Sequence, residues 1–118
     1  MPPFSSQHGL RLVDGDVLLL DNLGNPGESR VERYRLDVPS RRATLVASYR
    51  PSVPVVAQLG GTTQRLDNGH TLVSFGNGGR VEEYDATGKV VWQINGNPGY
   101  VFRAQRISSL YSPGSSSR

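Results

Sequence analysis

The chain contains no cysteine. Disulfides, thiol nucleophiles and cysteine-ligated zinc are therefore excluded, while the redox compartment stays open. No stretch approaches the roughly 18 consecutive apolar residues that a membrane span requires. The opening Met1-Pro2-Pro3-Phe4 has neither a basic n-region nor an apolar h-region, so no export signal is visible. No Gly-x-Ser-x-Gly and no His-Glu-x-x-His occurs. No segment of helical length carries a sustained 3.6-residue apolar rhythm. Lysine is nearly absent: the net charge of +3 comes from twelve arginines and Lys89 against ten acids. The arginines are scattered among Glu and Asp, with only Arg41-Arg42 adjacent, which reads as a solvated surface and not a nucleic-acid face.

What is present is alternation with period two. In Lys89-Val90-Val91-Trp92-Gln93-Ile94, the residues Val90, Trp92 and Ile94 share one face. Trp92 is expected in the core of its strand. In Ala43-Thr44-Leu45-Val46-Ala47-Ser48-Tyr49, the set Leu45, Ala47 and Tyr49 does the same. Fourteen glycines and eight prolines supply turns. Asp14-Gly15 and Asn68-Gly69 suit tight hairpins, because these residues tolerate positive φ. Gly76-Asn77-Gly78-Gly79 and Asp85-Ala86-Thr87-Gly88 separate further strands. This is an all-β chain.

The chain also repeats itself. His8-Gly9-Leu10-Arg11-Leu12-Val13-Asp14-Gly15-Asp16-Val17-Leu18-Leu19-Leu20 returns as Thr62-Thr63-Gln64-Arg65-Leu66-Asp67-Asn68-Gly69-His70-Thr71-Leu72-Val73-Ser74. Ser29-Arg30-Val31-Glu32-Arg33-Tyr34 is echoed by Gly79-Arg80-Val81-Glu82-Glu83-Tyr84. One unit predicts strands near 9–13, 16–21, 30–37 and 43–49; the second, near 61–66, 70–75, 80–84 and 89–94. Tandem four-stranded antiparallel units of this length, about 40–50 residues, are the blades of a β-propeller. The expected layout is a lead-in over 1–8, a blade over 9–50, a proline-bearing linker over 51–60 and a second blade over 61–95. The start of a further blade, or a closing strand, follows over 96–111, because Arg103-Ala104-Gln105-Arg106-Ile107 matches Thr63-Gln64-Arg65-Leu66. A disordered polar tail is expected over 112–118. Closed propellers need at least about four blades, so two would leave apolar flanks and sheet edges bare. The chain is therefore expected to be a fragment of a larger propeller or to associate with copies of itself.

Few residues stand out as chemistry. His70 follows Asn68-Gly69 and is expected at an exposed hairpin tip. His8 opens the first strand of a blade, and in propellers the ends of inner strands carry ligand groups; the competing reading is a partly buried turn histidine. Gly76-Asn77-Gly78-Gly79 leads into a strand and lacks Lys-Ser/Thr, so it is a turn and not a phosphate loop. Asp21, Asp37 and Asp85 lack the spacing of a calcium loop. No metal site and no cofactor is expected.

At Ser6-Gln7-His8, Leu18-Leu19-Leu20-Asp21-Asn22 and Ser29-Arg30-Val31-Glu32, the chain resembles the bacterial-type arylsulfotransferases, which work without the nucleotide sulfate donor PAPS. Gly61-Thr62-Thr63-Gln64-Arg65-Leu66-Asp67-Asn68-Gly69-His70-Thr71-Leu72-Val73, Gly79-Arg80-Val81-Glu82-Glu83-Tyr84-Asp85 and Tyr100-Val101-Phe102-Arg103-Ala104-Gln105-Arg106 continue the likeness. It implies the last third or so of a six-bladed propeller. It also implies transfer of a sulfuryl group from a phenolic sulfate to a phenol through a covalent histidine intermediate. His8 stands at the family's Gln-His position and is the candidate nucleophile; Thr63 is the candidate donor to a sulfuryl oxygen. The family's site also uses histidines and an arginine from earlier blades, so residues 1–118 alone are expected to be inactive. The implied partners are an aryl sulfate, a phenolic acceptor and the missing blades, from a longer chain or by self-association, with no nucleic acid and no membrane span. Relatives are often exported, which implies a periplasmic or secreted parent protein. The alternative is a non-catalytic propeller segment that binds or scaffolds.

Overall fold

The computed structural model describes residues 4–24, 27–94 and 99–111. Eight strands follow in chain order: β1 His8–Val13, β2 Asp16–Asp21, β3 Arg30–Asp37, β4 Arg42–Tyr49, β5 Thr62–Arg65, β6 Thr71–Ser74, β7 Val81–Tyr84 and β8 Val90–Ile94. They form two four-stranded antiparallel sheets, β1-β2-β3-β4 and β5-β6-β7-β8. The described residues contain no helix, hence none long and apolar enough to cross a membrane. The polar tail expected over 112–118 lies outside the described residues.

Turn chemistry sets the hairpins. Asp14 and Gly15 both take positive φ, 52° and 81°, the combination that lets a two-residue turn follow the twist of its strands. The second copy reverses over three residues instead. Leu66 N donates to His70 O at 2.9 Å, Gly69 N to Leu66 O at 3.0 Å, and Gly69 sits at φ 85°. Residues 85–89 repeat that design: Asp85 N bonds Lys89 O at 2.9 Å, with Gly88 at φ 89°.

The two sheets are copies at the level of register. Leu20 pairs with His8 and Val31, and Ser74 with Thr62 and Val81. Both sheets slip by one residue at the same place, between Arg33 and Tyr34 and between Glu83 and Tyr84. Leu18, Val31, Ala47 and Tyr49 of the first blade thus correspond to Leu72, Val81, Trp92 and Ile94 of the second.

Those two sets have different surroundings. Leu18, Leu20, Val31 and Tyr49 share one buried cluster with Val73, Phe75 and Tyr84, with Ala47 packed against it. That cluster is the junction between the blades. The corresponding face of the second blade is open. Leu72, Val81, Trp92 and Ile94, with Val101 and Ile107, line a cleft of about 500 Å3. Trp92, expected in the core, is 43% exposed. The slip between Glu83 and Tyr84 also splits the set expected on one face: Val90 packs against the junction cluster, while Trp92 and Ile94 line the cleft, which no neighbouring sheet covers among the described residues.

The linker is a wedge between the sheets. Ser29 N donates to Val55 O at 2.8 Å, Ala57 N donates to Ser29 Oγ at 2.7 Å, and Asn22 Nδ2 donates to Gly60 O at 3.1 Å. Ala57 is fully buried. Asn77 Oδ1 accepts from Gln58 N and Leu59 N, so the Gly76–Gly79 turn clasps the linker.

Each blade neutralises one buried glutamate of its third strand with the same Arg-x-Glu-x-Tyr motif. Arg30 Nε donates to Glu32 Oε1 at 2.7 Å and Tyr34 OH to Glu32 Oε2 at 2.6 Å. Arg80, Glu82 and Tyr84 repeat this at 2.5 Å in both bonds. Asp21 adds a 2.8 Å ion pair with Arg30. Burial first, then the adjoining carboxylate, pushes both tyrosine hydroxyls far above their ordinary pKa, so they stay protonated and donate to the glutamate.

Candidate functional site

The candidate site lies where the inner strands β1 and β5 meet. Between His8 and Arg11 two residues, Gly9 and Leu10, oppose Leu19 alone, which is a β-bulge. Gly9 adopts φ 60°, and a Cβ there would sit 2.8 Å from the Thr62 Cα. Only glycine lets the two backbones approach so closely.

His8 is half-buried at the start of this bulge. Its Nδ1 lies 3.1 Å from Gly61 O, and its ring meets Phe102 edge-on with centroids 5.5 Å apart. A carbonyl oxygen can only accept, so the bond assigns the proton to Nδ1 and leaves the lone pair on Nε2. The imidazole is oriented from two sides.

Thr63 is buried on β5. Its hydroxyl donates to Gly9 O at 3.1 Å, so its one proton is committed to the bulge next to His8. The two candidate residues are thus tied through Gly9, although they sit 55 positions apart in the chain. Thr62 occupies in the second blade the register position of His8 and makes a comparable reach. Its Oγ1 accepts from Ala104 N at 3.3 Å, while Gly61 N donates to Phe102 O at 3.2 Å. Residues 103–107 run along β5 on its far side. There Arg106 N and O bond the Gln64 side-chain amide at 2.7 and 3.0 Å, with no strand ladder formed.

His70 is not an exposed tip. Its Nδ1 lies 2.6 Å from Glu83 Oε1, a cross-strand contact, and Arg106 Nη1 donates to Glu83 Oε2 at 2.5 Å. Burial pushes the Glu83 carboxyl up, but the bonds from His70 and Arg106 outweigh it and hold the group below the ordinary glutamate range. The Arg106 guanidinium also lies over the Trp92 ring, 5.6 Å from its centroid. This cluster fastens the 103–107 segment to the second blade. Sequence spacing offered no signal for it, because Glu83 and Arg106 are far apart in the chain.

The aspartates weighed for calcium are all engaged locally. Asp21 pairs with Arg30, and Asp37 accepts from the Ser40 hydroxyl at 2.5 Å. Asp85 accepts from Thr87 Oγ1 at 2.6 Å and from the Thr87 and Lys89 amides. The Thr87 hydroxyl is the main cause of its lowered pKa. Among the described residues no group of three or more His, Asp or Glu could hold a metal ion.

The family model described as Arylsulfotransferase (ASST) matches residues 2–97, four-fifths of the chain, spanning both sheets and both candidate residues. Among curated proteins and among solved structures, none matches. Two four-stranded sheets with a shared register agree with the match in extent and in fold, and the chain belongs to the arylsulfotransferase (ASST) family.

Proposed function

We propose that this chain contributes His8 and Thr63 to the site of an arylsulfotransferase-like propeller. That site moves a sulfuryl group from a phenolic sulfate to a phenol, and it is completed by further blades. The observation that carries the reading is the Nδ1–Gly61 O bond, which commits Nδ1 to donating and turns the Nε2 lone pair to the attack.

In the first half-reaction Nε2 attacks sulfur, the S–O bond to the aryl group breaks, and the phenolate leaves with the bonding electrons. The imidazole then carries the sulfuryl group on Nε2 and a positive charge, which the Gly61 carbonyl stabilises at Nδ1–H. In the second, the acceptor phenol oxygen attacks sulfur, the S–N bond breaks, and neutral His8 is restored as the phenol proton passes to solvent. Splitting the transfer gives ping-pong kinetics. The Thr63 hydroxyl meets a sulfuryl oxygen by exchanging its bond to Gly9 O for one to the substrate.

Incompleteness is supported by the open cleft on the second blade. Its lining occupies the positions that in the first blade are sealed by a neighbouring sheet. The test supplies the remaining blades, by co-expression or fusion, and assays p-nitrophenyl sulfate with a phenol acceptor. A mass increase of one SO3 unit on His8 after donor alone is the expected result. Transfer that survives His8→Ala unchanged removes His8 from the mechanism. If the completed propeller shows no transfer, the family's scaffold role is what this chain retains.

A further inference from the structure

Arg11 and Arg103 reach one cleft from either side of β5. Its walls are these two residues with Thr62, Thr63, Gln64 and Gln105, and its volume is about 270 Å3. Arg30, Arg33, Arg35, Arg50, Arg80 and Arg106 all have a carboxylate partner. Arg11, Arg41, Arg42, Arg65 and Arg103 have none among the described residues; of these, Arg11 and Arg103 converge on one cleft, which no carboxylate lines. The depression that adjoins it over Arg11 and Thr63 adds Arg65 and one acid, Asp14, so the local balance stays positive.

The bulge explains why Arg11 points here. Aligned by sequence, Arg11 matches Arg65. By register it pairs with Leu18, whereas Arg65 pairs with Thr71 and Gln64 pairs with Leu72, the counterpart of Leu18. The extra residue at Gly9-Leu10 shifts Arg11 by one, onto the face that in the second blade belongs to Gln64. Arg103 is held just as firmly at its base. Phe102 O before it and Ala104 N after it are both bonded to β5, through Gly61 N and Thr62 Oγ1. Two anchored stems thus carry guanidinium tips that lack a counter-charge, with the Gln105 amide beside them. Two like charges sharing a small cleft repel each other unless an anion sits between them.

We propose that this cleft is a binding site for a small oxyanion, a sulfate, phosphate or carboxylate group, held by the guanidinium groups of Arg11 and Arg103. It does not depend on His8, which is not part of its wall, although Thr63 borders both.

The experiment uses the full chain labelled with 15N at constant ionic strength. Sodium sulfate, sodium phosphate, sodium acetate and phenyl sulfate are each titrated against chloride, and the arginine Nε–H and Ala104 amide signals are followed. Saturable shifts at Arg11, Arg103 and Ala104 are expected, with Arg11→Gln or Arg103→Gln each weakening binding about tenfold. The relative affinities of the four salts identify which oxyanion the site prefers. Arg42→Gln, on β4 and away from the cleft, should leave binding unchanged. Shifts that fail to saturate, or an equal loss in Arg42→Gln, would overturn the site in favour of diffuse charge attraction. Binding of phenyl sulfate with all three simple anions silent would place recognition in the ring and overturn it as well. Both arginines are exposed, so an unchanged amide spectrum verifies that the variants remain folded.

Discussion

Tyr49 and Tyr84 stack across the junction of the two blades, their ring centroids 5.7 Å apart and their planes 14° apart. Tyr84 is fully buried and its hydroxyl is bonded to Glu82, so the same residue closes the junction and the charge motif of its own blade.

That dual duty separates two substitutions. Tyr84→Phe keeps the stack and strips one oxygen of Glu82 of its donor, with an expected loss of about 1–2 kcal/mol. Glu82→Ala removes the acceptor of the Tyr84 hydroxyl and leaves the Arg80 guanidinium to Ser52 and Gln93 alone, and about 2–4 kcal/mol is expected. Urea unfolding of both variants checks the order; a Glu82→Ala chain no less stable than Tyr84→Phe would mean that the motif contributes nothing as a unit.

Gly9→Ala places a methyl against the Thr62 backbone at a positive φ. A cost of about 2–3 kcal/mol is expected from backbone strain and the forced separation of β1 from β5. The Thr63–Gly9 bond should lengthen and the His8 ring signals should move. An unchanged His8 environment in the NMR spectrum would show that the bulge does not position the imidazole.

Acid should loosen the 103–107 segment before it loosens the sheets. Glu83 titrates below its ordinary value of 4.5 in the folded chain. The unfolded chain therefore takes up the proton first, and the stabilisation is complete above that ordinary value. It is lost as pH falls through the lower folded value. Asp85 shifts in the same direction, so Glu83→Gln should flatten the acid limb of the stability profile without abolishing it. The local event has its own reporter in Trp92, the single tryptophan, which lies under the Arg106 guanidinium. Its fluorescence should change with acid in the parent chain and stay flat over the same range in Glu83→Gln.

Much of the fold could be read directly from the residues. Period-two alternation and the Gly-bearing turns place all eight strands to within a residue. The apolar run Leu18-Leu19-Leu20 is buried on both faces, as a central strand between two layers requires. Strands β4 and β8 show the limit of such reading: a one-residue slip puts Leu45 and Val90 on the face opposite to Ala47 and Trp92, and alternation says nothing of what covers either face. The bulge after His8 was hidden because a glycine in a strand is equally compatible with an uninterrupted ladder. The clasp of His70, Glu83 and Arg106 and the convergence of Arg11 with Arg103 depend on side chains brought together from opposite ends of the chain. Single-strand patterns carry no trace of either. Thr63 was legible only through the family likeness; its bond to Gly9 needed coordinates.

The exposed face of the second blade makes Trp92 a clean probe of completeness. Trp92→Glu should cost the isolated chain about 1 kcal/mol or less, because the ring is already half in water. When the remaining blades are supplied, the same substitution should prevent their stable addition, read by co-purification. If the blades add equally well to Trp92→Glu, the cleft is not where the propeller continues.

Arg30, Glu32 and Tyr34 lie on β3, with Asp21 on the strand beside it; Glu82 and Tyr84 lie on β7, with Arg80 directly before it. Neither motif therefore takes its counter-ion from another blade, whereas Glu83 is met by Arg106 from the segment beyond the second sheet. A cut at a blade boundary leaves both Arg-x-Glu-x-Tyr motifs whole, and Glu83 keeps His70 even where it loses Arg106. What such a cut lays bare is chiefly apolar surface, like the cleft beside Trp92, which another blade can cover.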